Sequence, residues 1–391
     1  MVFSHAIAAR RDCSRGAGGI AGAPMREQFL FPLLTHGSSV SFFVFGFVVS
    51  YFCRTFANRQ SEFMEQKVIN NRLDWMDWAK SIAITLVVFG HILMPFSKWV
   101  FGFHMPFFFM LSGFLQKKRT VRDEAINSFK SLLLPYVIYN VYLLIYSLFT
   151  GEYASNYPLD MLWGLQWNLS MACRPMWFLL SLFIMRMVYA ALPRRGCHLL
   201  AVCCILFVLL FHGDAPMKPE MNYFQIFEAV ICFPFFVMGI LMRQYQAEQV
   251  LDRLPVVDFP FGRRPSVLRY VIIAVGLAAG FCFMGFNGSV IPFRLQLSSV
   301  PLFYLGATFV SISLIWFIYE TFRIRNTYIQ LISEGTLLIF AVHQSILWPM
   351  RDVIPDGAWS ALVMTIVVIL LLSGPVWLAR KYCPVLIGKM K

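Results

Sequence analysis

Between Asp74 and Phe114 the chain reads DWMDWAKSIAITLVVFGHILMPFSKWVFGFHMPFFFMLSGF, two apolar runs that carry Asp74, Asp77, Lys80, His91 and His104. Placing charge in hydrocarbon costs about 3 kcal/mol per residue on insertion scales, so these residues point to a task rather than to lipid contact. Imidazole titrates near neutrality and can take a proton from a hydroxyl or hold a transferred group as a nucleophile. A lysine at a membrane face can attract phosphates, and a second imidazole can orient the first, stabilise an oxyanion or bind a substrate.

Spacing puts these groups on one stripe. Lys80 and His91 are eleven residues apart, close to three helical turns at about 100° per residue, and Asp77 falls near the same line. The helical rise separates Lys80 from His91 by roughly 16 Å, about half the thickness of a hydrocarbon core. The chain turns back near Pro95 to Lys98, and His104 lies about as far beyond that turn as His91 lies before it. An antiparallel hairpin therefore brings the two imidazoles to similar depth. Asp77 and Lys80 also suit an i, i+3 ion pair that merely anchors the helix end.

Asp77, Lys80, VVFGH ending at His91, and FHMPFFFMLSGF (Phe103 to Phe114) resemble the signature of the acyltransferase 3 family, in particular its fucose 4-O-acetylase-like and polysaccharide O-acetyltransferase branch. PMWFLLSLF (Pro175 to Phe183), CFPFFVMGIL (Cys232 to Leu241) and EGTLLIFAVHQ (Glu334 to Gln344) are weaker matches. Many members carry an arginine, ten intervening residues and then the first histidine. Lys80 stands there in this chain, a point charge in place of a planar fork. The resemblance implies His91 and His104 as catalytic residues. Lys80 and Asp77 would serve the acetyl-coenzyme A donor, with Trp177 and His343 as substrate-binding or supporting groups. Arg186 and Glu228 are candidates as charges inside predicted spans, Arg186 toward the coenzyme path and Glu228 as a supporting group, and the cysteine and histidine pattern implies no metal.

Composition alone requires the membrane class. The chain is 59% hydrophobic and only 14% charged, with apolar runs too long and numerous for a soluble core. A net charge of +13 is what basic cytoplasmic loops produce, and no compact basic domain supports a nucleic-acid partner. The nine cysteines form neither a CxxC pair nor a cluster at zinc spacing, so they read as buried thiols. Residues 1–63 fit the rest poorly. The most apolar stretch there, Val40 to Cys53, is short for a span, and the segment reads as a peripheral extension or as an upstream start with Met64 as the natural beginning.

From Asp77 onward the pattern predicts an all-α, polytopic bundle of about ten transmembrane helices within a single 64–391 domain. The spans are Asp77 to Met94, Trp99 to Leu115, Leu132 to Leu148, Trp177 to Leu192, Leu199 to Phe211, Phe224 to Met242, Leu268 to Phe286, Pro301 to Tyr319, Gly335 to Leu347 and Trp359 to Ala379. With the first span entering from the cytoplasm, the inner loops hold 18 Lys or Arg and the outer loops five. That asymmetry places both ends of the domain in the cytoplasm of a bacterial plasma membrane. The outer loop from Gly151 to Pro175 carries Tyr153, Tyr157, Trp163 and Trp167, suited to stacking on a sugar or to an interfacial belt. The inner loop from Arg243 to Arg269 carries five arginines, suited to cofactor phosphates or to anionic lipid.

Each site residue has a plainer reading: a histidine satisfied by a carbonyl, a tryptophan anchored at the interface, or Arg186 and Glu228 paired inside the bundle. The function expected is transfer of an acetyl group from acetyl-coenzyme A to a hydroxyl of a glycan or lipid-linked sugar. A multi-span solute carrier or lipid flippase without covalent chemistry is the alternative, and no internal repeat favours it.

Overall fold

A computed structural model describes residues 74–389, with breaks at 93–96, 152–155, 166–168, 170, 213–221, 254–255, 260–261, 266, 289, 292–293 and 351–356. The expected 1–63 extension, the turn at Pro95, and Tyr153 and Trp167 lie outside the described residues.

The protein is an all-α, multi-pass membrane protein. Its helices are α1 (Asp74–Ile92), α2 (Ser97–Phe101), α3 (His104–Leu115), α4 (Val121–Ser128), α5 (Leu134–Thr150), α6 (Tyr157–Trp163), α7 (Trp177–Ala191), α8 (Arg194–Phe211), α9 (Ile226–Tyr245), α10 (Val267–Phe286), α11 (Val300–Thr321), α12 (Thr327–Glu334), α13 (Thr336–Met350) and α14 (Ala358–Tyr382). The exception is a short antiparallel hairpin of β1 (Val256–Phe259) and β2 (Gly262–Pro265).

A helix occupies each of the ten apolar segments, but they are not ten equivalent spans. Six are long and apolar enough to cross: the continuous Val121–Thr150 rod, α8, α9, α10, α11 and α14. A seventh results if α12 and α13, bent by 73°, count as one. The ten-span count is therefore not confirmed. The reason is physical: α3 has 12 residues and α7 and α13 have 15 each, while α1 loses hydropathy to Asp77, Lys80 and His91.

Two glycines fix α3 against α9. A Cβ on Gly113 would stand 1.9 Å from the Phe236 carbonyl oxygen, and one on Gly239 would stand 1.9 Å from that of Met110. The backbones touch, which only glycine permits at such a crossing. LSGF and VMGI, which stood out as sequence matches, are thus one another's packing partners. This contact holds α3, and with it His104, in register.

The rod α4–α5 contains a π turn at Phe129–Leu133, a local widening of the helix that often accompanies a site. The C-terminal turn Pro384–Ile387 packs beside it: the Tyr139 hydroxyl donates to the Leu386 carbonyl at 2.5 Å. Gly388 then takes a left-handed conformation, φ +70°, with its Cα facing the Ser131 carbonyl. Lys389 and Arg380 both reach the Glu334 carboxylate, at 3.0 and 3.3 Å, which ties the tail to the end of α12.

Candidate active site

Three imidazoles lie together at mid-bundle. α1 carries His91 one residue from its end, α3 begins at His104, and α13 carries His343 halfway along. The rings of His91 and His343 have centroids 4.9 Å apart at 65°. Phe101, on α2, stands 5.3 Å from both His91 and His104 and separates them. The ring His91 touches directly is therefore that of His343, across the bundle, and not that of its hairpin neighbour.

Each ring is oriented by its own helix. His91 Nδ1 donates to the Val87 carbonyl at 2.8 Å, His104 Nδ1 to that of Val100 at 2.9 Å, and His343 Nδ1 to that of Phe340 at 2.8 Å. Carbonyls only accept, so Nδ1 carries the hydrogen in all three rings and Nε2 is left as a lone pair. The plainer reading, a histidine satisfied by a neighbouring carbonyl, is thus half met: the backbone takes Nδ1 and frees Nε2 for proton transfer. His104 is 5% exposed and His343 fully buried, while His91 is only partly buried.

A cavity of about 380 Å³ lies at the end of the bundle where α1 begins. Lys80, Ser112, Asn127, Ser131, Arg186 and Gly388 give it a polar lining, and Phe108, Phe178 and Phe340 form an apolar one. Phe178 packs against Phe108 at 5.9 Å and Phe340 at 5.4 Å. None of the three histidines lines this cavity; Phe108 and Phe340, which do, lie one helical turn from His104 and His343. The aromatic side of the cavity is thus carried by the same helix faces that bear the histidines.

Arg186 Nη1 donates to the Ser131 hydroxyl, in the π turn, at 3.4 Å. No carboxylate among the described residues pairs with it, and its Nε is buried without an acceptor. Glu228 sits in the first turn of α9 and accepts from Asn222 Nδ2, so the Arg186–Glu228 pair is not formed. Arg269 shows the contrast. Buried at 4% exposure, it is matched by Asp252 at 3.0 Å and Glu320 at 3.2 Å. The nearest carboxylate to act on Arg186 is Glu124, which is itself paired with Arg119 at 3.0 Å, so an anion in the cavity would complete the guanidinium.

The remaining candidates scatter. Asp77 accepts from the Ser333 hydroxyl at 2.6 Å, which ties α1 to α12. Trp177 is 5% exposed and packs against Phe109 at 6.0 Å, a core position and not an interfacial anchor. Of the outer-loop aromatics described, Tyr157 is buried with its hydroxyl on the Asn140 carbonyl, while Trp163 is exposed. Of the inner-loop arginines, Arg269 is neutralised as above, and Arg243 donates to the Phe114 carbonyl at 3.1 Å. Arg269 is thereby committed to carboxylates, whereas Arg243 is exposed. Sequence reading missed Phe101, Phe108, Phe178, Phe340 and the 131 and 388 contacts. Phenylalanines among 40 carry no individual signal, although the one-turn spacing Phe108–His104 and Phe340–His343 was available.

These features define a membrane-embedded enzyme of the group-transfer kind, with a cation-lined cavity backed by oriented imidazoles. The chain belongs to the acyltransferase 3 family, whose acyltransferase domain matches residues 73–380. It is similar to the nodulation protein NolL of Sinorhizobium fredii, 27% identical, with 55% of this chain and 58% of that protein covered. It is also similar to the nodulation protein NolL of Mesorhizobium japonicum, 25% identical, with 56% and 57% covered. The match thus spans somewhat more than half the length of these relatives. No solved structure matches the chain.

Proposed function

We propose that the protein is an O-acyltransferase that moves an acetyl group from acetyl-coenzyme A to a hydroxyl of a glycan or lipid-linked sugar. The observation that carries this reading is the adjacency of an Arg186 lacking a carboxylate partner, in a cavity beside Lys80, to imidazoles whose Nε2 lone pairs are free. Arg186 and Lys80 hold the donor's phosphates, with Asp77 placing the start of α1. The donor's flexible arm passes between Phe108, Phe178 and Phe340 and delivers the thioester to the histidines. His91 takes the proton of the acceptor hydroxyl as its oxygen bonds to the carbonyl carbon. His104 donates to the oxyanion once protonated, or binds the acceptor. Breaking the C–S bond then releases the thiolate, which recovers the proton from His91.

The dry aromatic wall supports this division, because excluding water protects the thioester from hydrolysis and strengthens the electrostatics at the reacting atoms. Glu228, Trp177 and His343 serve as supporting groups on the acceptor side. In this proposal the ten helical segments all cross the plasma membrane of a bacterium, with both ends of the 64–391 domain in the cytoplasm. The excess of Lys and Arg in the loops at that face supports the orientation. Membrane lipid surrounds the bundle.

The test is transfer from labelled acetyl-coenzyme A by the full-length chain in membranes that contain the acceptor. Label in the glycan with release of free coenzyme A is expected. Transport of solute with neither product would support the carrier alternative instead.

A further inference from the structure

We infer that His343 is the partner that stabilises the proton on His91, so that the two imidazoles act as one base. This rests on the acyl-transfer reading above. A catalytic histidine is commonly steadied by a carboxylate that balances the imidazolium formed during reaction. Among the described residues no carboxylate contacts His91. Its neighbours are Phe101, whose ring is 5.3 Å away, and His343, at 4.9 Å.

His343 is suited to that role by what it lacks. Its Nδ1 is committed to the carbonyls of Phe340 and Ile339, at 2.8 and 3.1 Å. Its Nε2 is buried, and no donor among the described residues reaches it. An acceptor orphaned in this way is costly and is retained where something fills it transiently. In the resting tautomers neither ring has a proton to offer the other. When His91 gains one it becomes a positive charge beside the His343 ring. The rings lie 4.9 Å apart at 65° with no hydrogen bond between them, so His343 acts on the charged His91 ring through space while His91 Nε2 stays aimed at the substrate.

The step balances. The acceptor hydroxyl loses its proton to His91 Nε2 as its oxygen bonds to the thioester carbon, and the neutral His343 ring, with its Nε2 lone pair, stabilises the resulting imidazolium electrostatically while the new N–H stays on the substrate side. On collapse the C–S bond breaks and His91 returns the proton to the thiolate, giving ester and free thiol. His343 ends as it began. It is a positioning residue that acts through His91, not a second base toward substrate.

The experiment uses the full-length chain in membranes that contain the acceptor, with acetyl-labelled acetyl-coenzyme A as probe. His343→Leu removes the lone pair and should lower the maximal rate about 30-fold or more, with KM for acetyl-coenzyme A unchanged. His343→Gln keeps an acceptor oxygen near the Nε2 position and should recover most of that loss. Should the leucine variant not accumulate, His343→Met replaces it, and Gln active beside a slow Met is the supporting result. A wild-type rate in the Leu or Met variant overturns the inference. So do equal losses in the apolar and Gln variants with a raised KM, the mark of packing. Full activity in His91→Ala would instead remove the acyl-transfer reading itself, whereas an inactive His91→Ala beside a fully active His343→Leu removes only this inference.

Discussion

Helices α8 and α10 bury only 22% of their most apolar stretches and turn Leu199, Leu206, Leu210 and Val275 outward. Helices α1, α3 and α13 do the opposite: Ile84, Val87, Phe107, Met110, Ile339 and Ala341 are fully enclosed. The outer set is long and uniformly apolar. The inner set is short or interrupted by polar groups, yet it bears Lys80, His91, His104, His343 and two faces of the aromatic wall. A helix surrounded by lipid must be apolar along its length, because nothing else there satisfies a polar group. A helix surrounded by other helices is released from that demand. Lys80 and the three histidines sit on helices that do not pass as single straight spans, while the rod Val121–Thr150 contributes Asn127 and Ser131 to the cavity.

The contrast predicts where substitutions act. His91→Ala should lower transfer by about 1,000-fold, within the range for loss of a general base, while the protein still reaches the membrane. Labelled transfer beside a membrane immunoblot measures both, and a drop in membrane level matching the drop in rate would make the residue structural. Gly239→Leu drives a side chain into the α3 backbone and should prevent stable assembly. It is read as lost thermal unfolding in detergent, and a normal transition would mean the crossing is looser than described. Arg186→Leu should raise KM for acetyl-coenzyme A by about 10- to 100-fold and leave kcat within a few-fold, as loss of a charge-assisted contact made in both ground and transition states. A fall in kcat alone would move Arg186 out of the donor site.

The smallest effect concerns the tail. Burial pushes the Glu334 carboxyl up, but its contacts with Lys389, Gln330 and Arg380 outweigh that and hold it below the usual glutamate range. Its stabilisation is therefore present above the ordinary glutamate value and is lost as pH falls through the lower folded one. Glu334→Gln should cost about 1 kcal/mol near neutrality, because the partners are half exposed, and the two melting curves should converge in acid. A constant difference across pH would detach the effect from this carboxylate.

Much of this arrangement is legible in the sequence, for reasons that also mark its limits. Charged and imidazole groups in apolar runs stand out because lipid penalises them, so Lys80, His91 and His104 announce themselves. Helical spacing is local, so the stripe from Lys80 to His91 follows from counting. Which ring meets which is a long-range fact. The His91–His343 contact joins residues 252 positions apart, and His104, the nearer in sequence, is held off by Phe101. Arg186 and Arg269 look alike in sequence, and only the fold shows that Asp252 and Glu320 neutralise one of them. The number of spans is not confirmed for a related reason: length and apolarity identify lipid-facing helices, and α3, α7 and α13 are short and largely enclosed by other helices.

The central claim is that donor binding and bond-making occupy neighbouring compartments joined through the Phe108, Phe178 and Phe340 wall. A structure with a non-transferable thioether analogue of acetyl-coenzyme A tests it directly. The account predicts phosphates beside Arg186 and Lys80, the three phenylalanines parted around the arm, and the carbonyl within reach of His91 Nε2. An analogue bound elsewhere, or one seated in the cavity with its carbonyl turned away from the histidines behind a closed wall, would contradict it.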